Sequence, residues 1–196
     1  MNALRPKRLW PWLLLHGTLL TLLIMSGCGR PQADTQPTRA NVWAYAREIA
    51  PQVDLPPHLI YAIVEAESTF DPFAESPSAR GIMQLGPLAW QEVTEDVAEA
   101  PGGAEALWQS VRGKSYRQAW NWQTNMKVGA LYLAFCREKL QERGRFSYPL
   151  LVASYRYGPY YVRSQGYRLD ALRPPKNRIY RELFAGNLAP VPLPLQ

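Results

Sequence analysis

AIVEAESTFDPFAESPSARGIMQLGP, residues 62 to 87, begins as a helix and ends as a loop. Leu59, Ile60, Ile63 and Val64 recur at the spacing of one helical face, and Glu67, four residues after Ile63 and three after Val64, falls on that same face. A carboxylate therefore projects from the apolar side. Glu65 lies about 200° around the helix from Glu67 and is expected to face solvent. Pro72 disfavours helical geometry at Asp71, which leaves Glu67 in the last turn or two. Burial and the negative end of the helix dipole both disfavour the ionised form, the condition for a general acid working near neutral pH. Taken alone, such a Glu is more often a satisfied core residue than a catalyst.

The neighbours reverse that reading. Glu67-Ser68, Phe70, Pro72, Ala74, Ser76, Gly81-Ile82-Met83-Gln84-Leu85 and Pro87 closely resemble the signature of the soluble-type lytic transglycosylases, which share the goose-type lysozyme fold. The resemblance implies an all-α, lysozyme-like helical domain with a substrate groove across Glu67. It implies Glu67 as the sole catalytic acid/base, with Ser76, Met83 and Gln84 lining the sugar-binding groove. The loop from Ser76 to Gly81 is one residue shorter than is common in that family.

Asn125, Gly129, Tyr132 and Leu133 resemble the family's second element, Asn-x-x-x-Gly-x-x-Tyr-Leu. Physically, residues 125 to 143 read as a buried scaffold helix in which Gly129 lets another helix approach closely. Tyr155-Arg156-Tyr157-Gly158-Pro159 resembles the third element, whose Tyr sits beside the catalytic Glu and contacts substrate; Tyr155 inherits that role. Arg156 stands where the family has Asn. Successive helical side chains diverge by about 100°, so the Arg156 guanidinium is expected to point away from Glu67, toward substrate carboxylates or a local acid. In the closing Glu-Thr-Arg-x-Tyr element Lys176 and Asn177 replace Glu and Thr, and only Arg178 and Tyr180 match; Tyr180 is taken as substrate-binding.

At the N-terminus Arg5, Lys7 and Arg8 precede an apolar run over residues 9 to 25, which ends in Ser26-Gly27-Cys28. This reads as a signal peptide of residues 1 to 27 with a lipobox-like end, Cys28 being the lipidated residue. An uncleaved membrane anchor is the alternative. Residues 28 to 40 read as a flexible tether, 41 to 186 as the catalytic domain and 187 to 196 as a Pro-rich tail, unstructured from Pro190. Asn41 is a plausible cap for a helix that Pro51 closes, and Pro56 and Pro57 suit the first turn of the Glu67 helix.

Processing would remove three basic and no acidic residues, lowering the formal charge from +6 to +3. A mildly basic, exported chain gives no footprint for nucleic acid. Cys136 remains as the only thiol and reads as a small buried hydrophobe, while His16 and His58 stand apart, so neither a disulfide nor a metal site is expected. Residues 92 to 105, rich in acid, read as a solvated excursion; Trp108, Tyr116, Trp120 and Trp122 read mostly as core. The basic residues between 156 and 181 suit an acidic polymer or a plain solvated face equally well.

The reading is a murein lytic transglycosylase, monomeric and without cofactors, lipid-anchored on the periplasmic side of the outer membrane and acting on peptidoglycan glycan strands. A catalytically impaired peptidoglycan-binding module, a structural lipoprotein and a plain muramidase stay open beside it.

Overall fold

The computed structural model describes residues 36 to 194. The signal segment, Cys28 and the tether up to residue 35 lie outside the described residues. Helix α1, Arg39–Ile49, starts two residues earlier than the sequence suggests. Thr38 is its cap, the hydroxyl accepting from the Asn41 N–H at 3.1 Å, so Asn41 lies inside the first turn and is not the cap. A 3-10 turn, Ala50–Val53, leads to α2, Pro57–Ser68, with Pro57 in the first turn, where its missing amide costs nothing. Helix α2 ends as Pro72 requires: Thr69 and Phe70 take positive φ, 54° and 66°.

The loop after α2 folds back on itself. Ser76 N–H donates to the Ala79 carbonyl at 3.0 Å, and Arg80 bridges to Glu75 on one side and Leu85 on the other, so the shortened loop closes as a tight turn. Helix α3, Pro87–Gln91, runs into a π-helical turn, Glu92–Asp96, whose Val93 and Thr94 are buried. The acidic stretch is thus anchored, contrary to the solvated excursion expected of it. Its charges sit on one side of a turn whose other side packs into the core.

Helix α4, Glu105–Gln109, precedes the central helix α5, Trp122–Gln141, capped by Asn121. Buried residues encircle α5, and α1, α4, α6 (Tyr148–Tyr157) and α7 (Pro159–Ser164) pack on it. Helix α8, Arg178–Phe184, lies against α2 and α6. What fills the space at Gly129 is not another helix but the Met83 side chain: a Cβ added there would overlap Met83 Sδ and come within 2.8 Å of its Cε. Trp108 and Trp122 are core residues, whereas Tyr116 and Trp120 are half-buried beneath the Arg80 guanidinium. Cys136 is fully buried. Residues 187 to 194 of the Pro-rich tail are irregular, yet Val191 packs into the main core, so this part docks where an unstructured tail was expected.

Candidate active site

Glu67 reaches the site from the last turn of α2. Ser68 ties that turn down, its hydroxyl donating to the Val64 carbonyl at 3.1 Å and to the Ile82 carbonyl at 2.7 Å. The second of these bonds joins the helix end to the Gly81-Ile82-Met83-Gln84 turn. Gly81 is required there on two counts, since φ is +81° and a Cβ would overlap the Ala119 carbonyl and the Asn125 amide. Asn125, fully buried on α5, receives the Met83 N–H at 2.8 Å and donates to the Arg80 and Ala119 carbonyls at 3.1 and 3.0 Å. One amide thus satisfies three backbone groups of the loop and the turn beside it.

Two tyrosines close on the carboxylate from the other side. Tyr180, fully buried on α8, donates its hydroxyl to Glu67 Oε1. Tyr155, on α6, donates to the Met83 carbonyl at 2.7 Å. Burial first, and then the charge of Glu67, push both phenols well above the usual tyrosine range, so both stay protonated as donors. Asn177 secures α8 at its start: Oδ1 accepts from the Ile179 and Tyr180 N–H groups, while Nδ2 donates to the Ala66 carbonyl of α2 at 3.2 Å. That residue was read only as a departure from a family pattern. An Asn ahead of a helical stretch is a cap signal, and it also clamps Tyr180 to the end of α2.

Arg156 does not point away. Its Nη1 stands 3.6 Å from Glu67 Oε1, and its guanidinium lies 4.3 Å from the Tyr180 ring centroid. Divergence by 100° along α6 holds, but a long side chain stacked on Tyr180 returns to the carboxylate. Burial raises the pKa of Glu67 above the usual carboxylate range; the Tyr180 hydrogen bond and the Arg156 charge pull it partly back. Glu65 also departs from expectation, because it pairs with Arg39 at 3.2 Å and is scarcely more exposed than Glu67, 18 % against 16 % of the side chain.

A cleft of about 760 Å³ runs across Glu67. Of the residues proposed from sequence, Glu67, Ser76, Gln84 and Tyr155 line it. Met83 does not: it is fully buried under Gly129, and only its backbone serves the site. Tyr180 is likewise no wall residue but a buried support for Glu67. Gln84, at φ +48°, spends its amide nitrogen on the Ala74 and Gly81 carbonyls at 2.7 and 3.0 Å, so the loop is rigid where it meets the cleft. The lining also includes Glu92, Asp96, Leu88, Tyr160 and Tyr161, with the Tyr160 hydroxyl 3.4 Å from Glu92 Oε1. Leu88 is 80 % and Tyr160 59 % exposed, an apolar and aromatic rim suited to sugar faces. Sequence reasoning missed these because an acid or an aromatic on a short helix carries no sign of which cleft it enters.

Residues 44 to 171 match the family model described as the transglycosylase SLT domain. No curated protein matches the chain significantly.

Proposed function

The chain belongs to the transglycosylase SLT domain family, which implies peptidoglycan binding, and on that premise we propose that its cleft takes the glycan strand and cleaves the MurNAc–GlcNAc β-1,4 bond with Glu67 as general acid and base. The observation that carries this reading is the asymmetric hold on Glu67. Tyr180 and Arg156 both reach Oε1, while among the described residues no hydrogen bond reaches Oε2. Oε2 is then the oxygen that carries the proton, held by the raised pKa that burial confers.

Glu67 gives this proton to the glycosidic oxygen as the C1–O4 bond breaks. The carboxylate so formed is stabilised by the Tyr180 hydroxyl, and it takes the proton of the muramic acid 6-hydroxyl as O6 bonds to C1. The products are a free 4-hydroxyl and a 1,6-anhydro end, and no water is consumed. A hydrolytic reading draws on Glu92 and Asp96, two more carboxylates in the cleft that could activate water, since ordinary glycosidases pair two acids.

Mass spectrometry of sacculi digested with the full-length protein tests both. Anhydro ends uphold the transglycosylase and reducing ends the hydrolase, while absence of products in wild type would sink both in favour of a binding or scaffold role. Glu67→Gln is expected to lower release by at least about 10²-fold. The proposal extends to a monomer anchored through acylated Cys28 on the periplasmic side of the outer membrane. It is supported by the basic segment, apolar run and Ser26-Gly27-Cys28, and by Gly29 where an Asp would favour inner-membrane retention.

A further inference from the structure

We infer that Arg156 selects muramoyl residues bearing a free carboxylate, its guanidinium exchanging Glu67 Oε1 for that carboxylate and so coupling recognition of the sugar to the state of Glu67. The inference rests on the reading above of the cleft as a peptidoglycan site.

The contact between Arg156 and Glu67 is loose. At 3.6 Å it is an ion pair and not a hydrogen bond, longer than the roughly 2.7 to 2.9 Å of a charge-assisted N–H···O contact. The guanidinium's other neighbours are Tyr180, whose ring centroid lies at 4.3 Å, and Tyr157, at 5.7 Å, whose hydroxyl also favours the charged guanidinium. Arg156 lines the cleft with its side chain 30 % exposed, so the donor fork can be reached by a ligand lying over Glu67. A fork with unused donors, stacked and half in solvent, matches a carboxylate bidentately. Glu92 and Asp96 line the same cleft without an ion pair to Arg156 among the described residues, so Glu67 is the one side-chain carboxylate among them that a ligand carboxylate must displace.

The exchange has a chemical consequence of definite sign. The titratable and charged groups around Glu67 are Tyr180 from α8 and Tyr155 and Arg156 from α6; of these only Arg156 is charged at neutral pH. Its positive charge favours ionised Glu67. A ligand carboxylate that neutralises it removes that bias, and Glu67 holds its proton to higher pH when such a sugar occupies the cleft. Glycan without a carboxylate leaves Arg156 on Glu67 and the acid less protonated.

Carbon-13 NMR titration of the Glu67 carboxyl tests this in the full-length protein in detergent, the signal assigned by its loss in Glu67→Gln. N-acetylmuramic acid is expected to move the titration of wild type upward, and N-acetylglucosamine to leave it in place. Arg156→Asn should titrate higher without sugar and no longer respond, whereas Arg156→Lys, keeping the charge without the fork, should start near wild type and respond less. N-acetylmuramoyl-L-alanyl-D-isoglutamine separates the sources: an equal shift assigns the fork to stem-peptide carboxylates, and no shift assigns it to the lactyl carboxylate of stripped strands. An unchanged titration in Arg156→Asn, or equal shifts with both monosaccharides, overturns the inference. Because the readout is protonation, a wild type that responds yet releases no products from sacculi refutes the lyase reading alone.

Discussion

Glu67 sets function against stability in one group. Burial raises its pKa, so the folded chain binds this proton more tightly than the unfolded chain does. For a carboxyl shifted upward, the stabilising contribution is complete below the unfolded value of about 4.3 and is lost as pH rises through the folded value. At neutral pH the carboxyl of the unfolded chain is ionised and well hydrated, so burying this group is a net cost. Glu67→Gln keeps volume and removes the titration, so its thermal midpoint is expected to exceed that of wild type at pH 7, the gain shrinking toward zero as the pH falls below 4. Calorimetry across that range checks it. A variant less stable at pH 7 would show that the Arg156 pair and the Tyr180 bond outweigh desolvation.

At the scale of elements, the site depends on how closely α5 lets the loop approach. Gly129 admits Met83, and Met83 in turn presents the carbonyl that holds Tyr155. Gly129→Ala forces Sδ aside and is expected to cost about 1 to 3 kcal/mol in urea unfolding, the range of an overpacked core. Because the displaced atoms are the far end of a flexible side chain, adding Met83→Ala should recover part of that loss. Gly81→Ala has no such relief. It meets a backbone carbonyl and an amide already bonded, at φ +81°, and is expected to be the more damaging of the two. Equal costs, or no recovery in the double variant, would contradict this account of the interface.

Over the whole molecule, the cleft and the proposed anchor lie far apart along the sequence. The residues lining the cleft fall between Glu67 and Tyr161, and α1 begins at Arg39, well after the proposed acylation site at Cys28. Cys28→Ala is accordingly expected to abolish incorporation of labelled fatty acid and leave a larger, unprocessed precursor, while the purified variant cleaves isolated glycan strands at the wild-type rate. Unchanged mobility with no acyl label on the wild type would make the N-terminal segment an ordinary membrane anchor.

The residue order alone determines the helix that carries Glu67 and its termination before Pro72. Each of these depends on residues within a few positions of one another, where helical periodicity, proline sterics and positive φ act locally. The tertiary structure decides what surrounds the carboxylate. Tyr180 meets Glu67 across 113 positions, and Tyr155 meets Met83 across 72. Met83 was assigned to the groove and Arg156 away from Glu67, and both assignments failed for the same reason. The direction of a long, flexible side chain is set by the space and the rings that neighbouring helices leave for it, and those neighbours are brought together only when α2, α5, α6 and α8 pack.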